Sequence, residues 1–94
     1  DGIKVKVVTK AANYTVTTTD SHVVCDATSG AITMTLPAAA SGLRFHFVKK
    51  DSSSNTVTID GNGSETINGA TTTTLNTQYD SLTIFSDGTE WFVE

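Results

Sequence analysis

Threonine recurs at alternate positions in four short segments of this chain, and this pattern restricts the folds that the sequence can adopt. The segments are residues 15–17, 33–35, 56–58 and 72–74. A β-branched side chain is stiff at χ1 and suits an extended backbone. Alternation sends each threonine to one face of a strand and its apolar neighbour to the other face. The sequence therefore predicts an all-β fold of short strands, each with one solvated face.

Rows of alternating threonine also occur on ice-binding β-helices, where the threonines of successive strands line up. In this chain the separation between the four threonine segments follows no fixed period. Ordinary solvated strand faces explain the threonines equally well. We therefore interpret these segments as solvent-facing strand surfaces.

The chain has few side chains with which to build a core. Leu, Ile, Val and Phe together number 22 of 94 residues, and a domain of this length buries only about two-thirds of the surface of its unfolded chain. Small domains of this kind usually depend on disulfides, metals or partner subunits. Cys25 is the only cysteine, and no cluster of Cys and His offers a metal site. We therefore expect a homotrimer that needs no cofactor.

The net charge of −4 limits the classes of partner. Nucleic-acid binding needs a basic face that neutralises phosphates, and no such patch is present. No apolar run approaches the roughly 20 residues that span a bilayer. The sequence predicts neither nucleic-acid binding nor membrane insertion.

Turn signals divide the chain into short strand patterns. Pro37 ends the most regular of these, residues 31–36, because proline cannot donate a hydrogen bond to a β-ladder. The Asp-Gly pair at positions 87 and 88 predicts a two-residue hairpin loop before residues 91–93. Residues 1–12 are mixed in character and are expected to be a linker or an upstream strand. We expect residues 13–94 to form a single all-β module.

The apolar positions of these strands predict a core that several copies would share. Short strands expose unpaired edges, and a trimer wound around one axis would close those edges and combine three thin cores. We therefore expect an intertwined trimeric β-helix or β-prism-like fibre module, with a small β-sandwich or jelly-roll-like domain as the alternative. The predicted core residues of the oligomer are Ile32, Met34, Leu36, Phe45, Phe47, Val57, Ile59, Ile67, Leu82 and Ile84.

Candidate catalytic and metal-binding residues are weak in this sequence. His22 lies between an Asp-Ser pair and Cys25, but a nucleophile and its base are defined by spatial geometry, and no nucleophile motif surrounds them. Residues 60–65 resemble the start of a calcium loop, yet the sixth and twelfth positions hold Glu65 and Thr71 instead of Gly and Glu. We expect no catalytic residue and no metal ligand here.

Two aromatic residues are candidates for ligand contact. Trp91 and Tyr14 each combine an apolar ring with a polar tip, and such residues stack on sugars or anchor interfaces when exposed. The alternative for Trp91 is that it closes one end of the core. His46 lies between two phenylalanines; it is either an ordinary surface histidine or, in a trimer, one member of a pH-sensitive ring.

Five phrases of the sequence, taken in order, resemble a module of virus structural proteins. They are residues 14–20, 26–37, 55–61, 65–69 and 86–91. Together they are similar to segments of phage tail fibres, tail spikes and head-fibre or capsid-decorating proteins, and of fibre-like proteins of large DNA viruses. The resemblance covers about residues 13–94 and includes no active-site motif.

This resemblance implies a module that trimerises and stabilises a fibre or head-decoration protein on the virion. Its implied partners are further copies of itself and neighbouring fibre or capsid domains. The first alternative is a receptor-recognition module in which Trp91 or Tyr14 contacts a host-surface glycan. The second, a polysaccharide-degrading enzyme, needs two carboxylates in a groove. The available acids all look like turn residues, so we expect no enzymatic activity: Asp60, Glu65, Asp80 and Asp87.

Overall fold

The computed structural model describes residues 4–94, which form nine β-strands and no helix. The predicted all-β class is therefore confirmed. Most of the strands are only four residues long or shorter, because turn-forming residues interrupt each alternating segment. The strands are β1 (Val7–Lys10), β2 (Tyr14–Thr15), β3 (His22–Cys25), β4 (Ile32–Thr35), β5 (Arg44–Lys49), β6 (Val57–Asp60), β7 (Thr72–Leu75), β8 (Ser81–Ser86) and β9 (Trp91–Val93).

Consecutive strands alternate between two sheets over the first two-thirds of the fold. The five-stranded sheet has the order β1-β3-β5-β8-β9, and the four-stranded sheet has the order β2-β4-β6-β7. Strands β1, β3 and β5 run parallel, as do β2, β4 and β6. The chain thus winds through three turns like a short β-solenoid, with one strand of each turn in each sheet.

After β6 the chain reverses, and the remaining strands pair antiparallel. The reversal depends on the loop of residues 61–71. A side chain at Gly61 would overlap the backbone carbonyl of Glu65, so only glycine fits there. Residues 65–67, which have a strand pattern, form only isolated bridges from Ile67 to Ala70 and Trp91.

The β8–β9 hairpin has a longer loop than the two residues predicted from the Asp-Gly pair. Ser86 pairs with Trp91, so four residues form the connection. The carboxylate of Asp87 accepts hydrogen bonds from the backbone N–H groups of Thr89 (2.9 Å) and Glu90 (3.0 Å). Asparagine or aspartate turns of this kind stabilise a wider loop than the type I′ turn that the dipeptide favours.

The sequence predicts a linker or an upstream strand for residues 1–12. Within this segment, Val7–Lys10 form the edge strand β1. Residues 1–3 lie outside the described part of the chain. Lys10 is in register with the buried Cys25 and is itself half-buried, so it faces the inner side of the sheet. Inward-facing lysines on an edge strand oppose edge-to-edge pairing with another sheet.

The inward faces of the two sheets share one hydrophobic core inside a single chain. Fifteen apolar side chains are buried there. All ten predicted core residues belong to this core except Leu82, which is half-buried and packs against it. The expectation of a core shared between copies is corrected accordingly: these side chains are covered by the chain's own second sheet. The described residues therefore form a small two-sheet β domain.

The register also aligns the threonines, contrary to what their unequal spacing suggests. Thr33, Thr58 and Thr74 are direct neighbours on three adjacent strands of the four-stranded sheet. A second row of threonines crosses the same sheet, but Asp60 interrupts it between Thr35 and Thr72. Loops of different length absorb the differences in spacing along the chain. The outward face of this sheet is thus polar and rich in hydroxyl groups, as the alternation predicted.

Candidate functional site

Trp91 is not available as a ligand contact. Its side chain is fully buried, and its ring centre lies 5.8 Å from that of Phe45. The indole N–H donates to the carboxylate of Glu65 at 3.2 Å. An exposed, sugar-stacking Trp91, one of the two possibilities considered for this residue, is therefore excluded. The alternative applies instead, because the large ring is more stable when it closes the core and its one donor has a partner.

Tyr14 belongs to a polar cluster at the β1 end of the core. Its hydroxyl donates to Asp20 at 2.6 Å, and the Lys10 ammonium lies 4.4 Å from its ring centre. Lys6 reaches Asp20 at 3.3 Å. Both the tip and one face of the Tyr14 ring are occupied, so this residue is also a poor contact for a sugar.

Charges and hydrogen bonds in this cluster shift the pKa values of its two acids in opposite directions. The hydrogen bond to Asp20, together with burial and the negative charge of that carboxylate, raises the pKa of Tyr14. Burial acts to raise the pKa of Asp20, but hydrogen bonds from Tyr14, Thr17 and Lys6 outweigh it and lower that pKa. The cluster is thus held as a neutral phenol beside a carboxylate.

Three of the four acids considered as catalytic candidates are engaged in holding the backbone. Asp80 accepts from the N–H groups of Asn76 (3.3 Å) and Thr77 (3.0 Å), and Asp87 fixes the hairpin loop. Glu65 accepts from the N–H of Ala39 at 3.0 and 3.1 Å. Asp60 is the fourth, and it lies in the threonine rows of the four-stranded sheet. Asp80 and Asp87 thus have the turn roles read from the sequence, whereas Asp60 lies within strand β6 and Glu65 joins segments that are far apart in the chain.

A buried ion pair lies at the end of β5, and the sequence pattern did not reveal it. The side chains of Lys49 and Asp51 are 0% and 3% exposed, and the ammonium contacts the carboxylate directly. The other carboxylate oxygen of Asp51 accepts from the N–H of Ala27 at 2.7 Å. The Lys49 ammonium also donates to the carbonyl of Ser53 at 3.0 Å. Lys49 shares the inward face of β5 with Phe45 and Phe47. The alternation along this strand was therefore the sequence signal that could have indicated that Lys49 is buried.

This ion pair has the pKa pattern of a structural group. Burial alone would raise the pKa of Asp51, but hydrogen bonds from Lys49, Ser53 and the Ala27 backbone hold it well below its usual range. Burial, together with the negative charge of Asp51, raises the pKa of the nearby Cys25 thiol to about 12. A buried thiol of that kind is unreactive. Neither the pair nor the thiol is exposed to a substrate.

Acid should remove the contribution of Asp51 to stability. Because its pKa is lower in the folded chain than the value of about 3.9 in an unfolded chain, its contribution is complete above that pH and is lost as the pH falls further. We expect the difference in unfolding free energy between the wild type and Asp51→Asn to shrink below about pH 4. Urea denaturation at a series of pH values measures this, and a difference independent of pH would contradict it.

The outward side of the five-stranded sheet, called here the outer face, combines apolar, hydroxyl and imidazole groups. Val7 is 56% exposed and Phe85 is 37% exposed. The ring centres of Phe85 and Phe92 lie 5.6 Å apart. The outer face comprises Val7, Thr9, His22, Val24, Arg44, His46, Val48, Ser81, Thr83, Phe85, Phe92 and Glu94.

The two histidines of the chain meet at the centre of the outer face. His22 on β3 is the direct neighbour of His46 on β5, and their ring centres are 5.3 Å apart with an interplanar angle of 47°. Burial, followed by repulsion from His22 and Arg44, lowers the pKa of His46. This pairing was not predicted, because the two residues are far apart in the sequence and only the parallel register joins them.

One exposed aromatic residue lies away from the outer face. Tyr79, in the turn between β7 and β8, is 71% exposed and has a φ of +69°. This left-handed conformation is uncommon for a residue other than glycine. Backbone hydrogen bonds from Tyr79 N–H to Lys49 (2.7 Å) and from Asp80 N–H to Thr77 (2.9 Å) hold the turn.

Comparison with known proteins found no protein-family model that matches the chain and no matching curated protein. Within residues 4–94 there is no helix long and apolar enough to cross a membrane. In the same residues no group of three or more His, Cys, Asp and Glu side chains is placed to hold a metal ion. The inference of function therefore depends on the chain's own residues and their geometry.

Proposed function

We propose that this chain is a structural module of a viral fibre or head-decoration protein, and that it forms a homotrimer on the virion through its outer face. The observation that carries the proposal is the exposure of Val7 and Phe85 on a continuous sheet surface. The ordered phrases that resemble viral fibre proteins support the same function. The proposed role is structural: the all-β domain connects copies of the chain to one another and to neighbouring domains of the fibre or capsid.

The exposed apolar groups favour self-association through their placement. Four large hydrophobic side chains of the described residues are substantially exposed. Val7 and Phe85 lie on the outer face, with β3 and β5 between them, and Val5 lies two residues before the edge strand β1. Apolar side chains gathered on one surface mark an interaction site more often than scattered ones do.

The charges of the outer face are compatible with contact between identical copies. Among the residues assigned to the outer face above, the formally charged side chains are Arg44 and Glu94, which form a two-point ion pair with distances of 2.9 Å. The charge on this surface is therefore balanced within each copy. Two or three such faces can approach without the like-charge repulsion that the acidic remainder of the chain would produce.

Light scattering after size-exclusion chromatography tests the trimer. At micromolar concentration we expect a mass three times the 9.9 kDa of one chain. Phe85→Glu places a charge in the proposed interface and should reduce the mass to that of one chain, whereas Thr74→Glu on the opposite sheet should leave the trimer intact. A wild-type chain that is monomeric and folded at this concentration would refute the proposal.

Tyr79 favours glycan recognition as a second candidate function. An exposed tyrosine in a strained turn presents its ring to solvent, where a sugar can stack on it. Gln78, its neighbour in the turn, donates its amide N–H to the carbonyl of Lys50 at 3.1 Å, which leaves its amide oxygen to accept from a sugar hydroxyl. We expect Tyr79→Ala to abolish binding on a glycan array while Tyr14→Phe leaves it unchanged. An array without hits for the wild type excludes this function for the glycans tested.

A further inference from the structure

We propose that His22 and His46 form a two-histidine site for a first-row transition-metal ion such as Zn²⁺ or Ni²⁺. The site lies on the outer face and uses two rings of one chain. It needs no second copy of the chain, although it lies on the surface proposed for self-association. With only two protein ligands, water completes the coordination of the ion, so the site binds and releases metal readily.

The spacing of the two rings fits a shared ion. Two imidazoles that bind one tetrahedral zinc ion through Zn–N bonds of about 2.1 Å have ring centres about 5 Å apart. The ring centres of His22 and His46 are 5.3 Å apart, with the planes inclined at 47°. The parallel register makes these residues direct neighbours, so rigid strands hold both rings in place.

The hydrogen bonds of both rings leave the same nitrogen free. Nδ1 of His22 lies 3.1 Å from the hydroxyl of Ser21, and Nδ1 of His46 lies 2.6 Å from the hydroxyl of Thr83. When each Nδ1–H donates to its hydroxyl oxygen, each Nε2 carries a lone pair. Metal-binding histidines are typically fixed in this way by a partner on the other nitrogen.

The surroundings provide one nearby cation and no ligand that competes with the histidines. Arg44, two residues from His46, repels a bound cation, and its two-point contact with Glu94 offsets part of that charge. The same contact occupies both oxygens of the one carboxylate on this face. The remaining neighbours of the pair are uncharged: Val7, Val24, Val48 and Thr83.

The ligand type sets the class of ion. Imidazole nitrogen suits Zn²⁺, Ni²⁺ and Cu²⁺, whereas Mg²⁺ and Ca²⁺ prefer oxygen ligands. A cysteine ligand would widen the range of ions that bind, but the Cys25 thiol is buried on the inner side of the sheet and does not reach this site. The two histidines are thus the donors that decide which ion binds.

Calorimetric titration of the 94-residue chain, prepared without a histidine tag, tests the site. We expect Zn²⁺ and Ni²⁺ each to bind at one ion per chain and Mg²⁺ to give no heat of binding. His22→Gln and His46→Gln should each weaken Zn²⁺ binding at least about tenfold, and Thr83→Val should weaken it by a comparable factor through loss of the Nδ1 partner. Thr9→Val, on the same face but away from the pair, should bind as the wild type does.

Nitrogen-15 NMR of the wild-type imidazoles gives a readout that does not depend on whether the variants fold. Zn²⁺ should shift the Nε2 signals of both histidines, and the melting temperature should rise as the free Zn²⁺ concentration increases above the dissociation constant. The proposal is overturned if the wild type does not bind Zn²⁺, if only one histidine responds, or if the histidine variants bind as tightly as the wild type.

Discussion

Lys49→Met should lower the free energy of unfolding by about 3–5 kcal/mol, because it leaves the Asp51 carboxylate buried without its cation. That loss is a large part of the ~5–15 kcal/mol that stabilises a typical domain. The carbonyl of Ser53 also loses its ammonium donor. Urea denaturation followed by circular dichroism at neutral pH measures the change. A loss below about 1 kcal/mol would show that the pair is not desolvated.

Lys50→Met is the matched control for this substitution. It makes the same chemical change one residue further along, where the side chain is exposed. Its free energy of unfolding should stay within about 0.5 kcal/mol of the wild type, as is usual for surface substitutions. The contrast between neighbouring lysines separates the effect of the buried charge from any general effect of removing a positive charge from this acidic chain.

Ile59→Asp should prevent folding, with a loss of more than about 5 kcal/mol. The side chain of Ile59 is fully buried between Met34 on β4 and Thr73 on β7, in a core whose buried cation, Lys49, is already paired with Asp51. Loss of apolar burial and introduction of an unpaired charge act in the same direction. The far-ultraviolet circular dichroism and the dispersion of the NMR spectrum should both become those of an unfolded chain.

Thr58→Asp is the control for Ile59→Asp, because it places the same carboxylate on the solvated face of the same strand. Its neighbours there are Thr33 and Thr74, and water remains available to the charge. We expect a loss of about 1 kcal/mol or less, within the range of β-propensity effects. Similar losses for the two variants would mean that the faces of β6 are assigned to the wrong sides.

The candidate site was only partly predictable from the sequence. The strand pattern correctly placed His46 opposite Phe45 and Phe47, but it could not show that His22 would be the neighbour of His46. The buried role of Lys49 was missed because a lysine at a strand end normally reaches solvent. Here the loop that follows β5 folds back over Lys49, and Asp51 and Ser53 supply the partners that make its burial tolerable.

The alternation of side chains by itself determined the all-β class, the threonine faces and nearly all the core positions, because a strand has a period of two and needs no partner to define its faces. Only the tertiary structure decided that one chain covers its own core, that Trp91 is buried, and that His22 lies beside His46. These outcomes depend on strand register and on which sheet each strand joins. Both are set by loop lengths and by contacts between residues far apart in the chain, which no local pattern records.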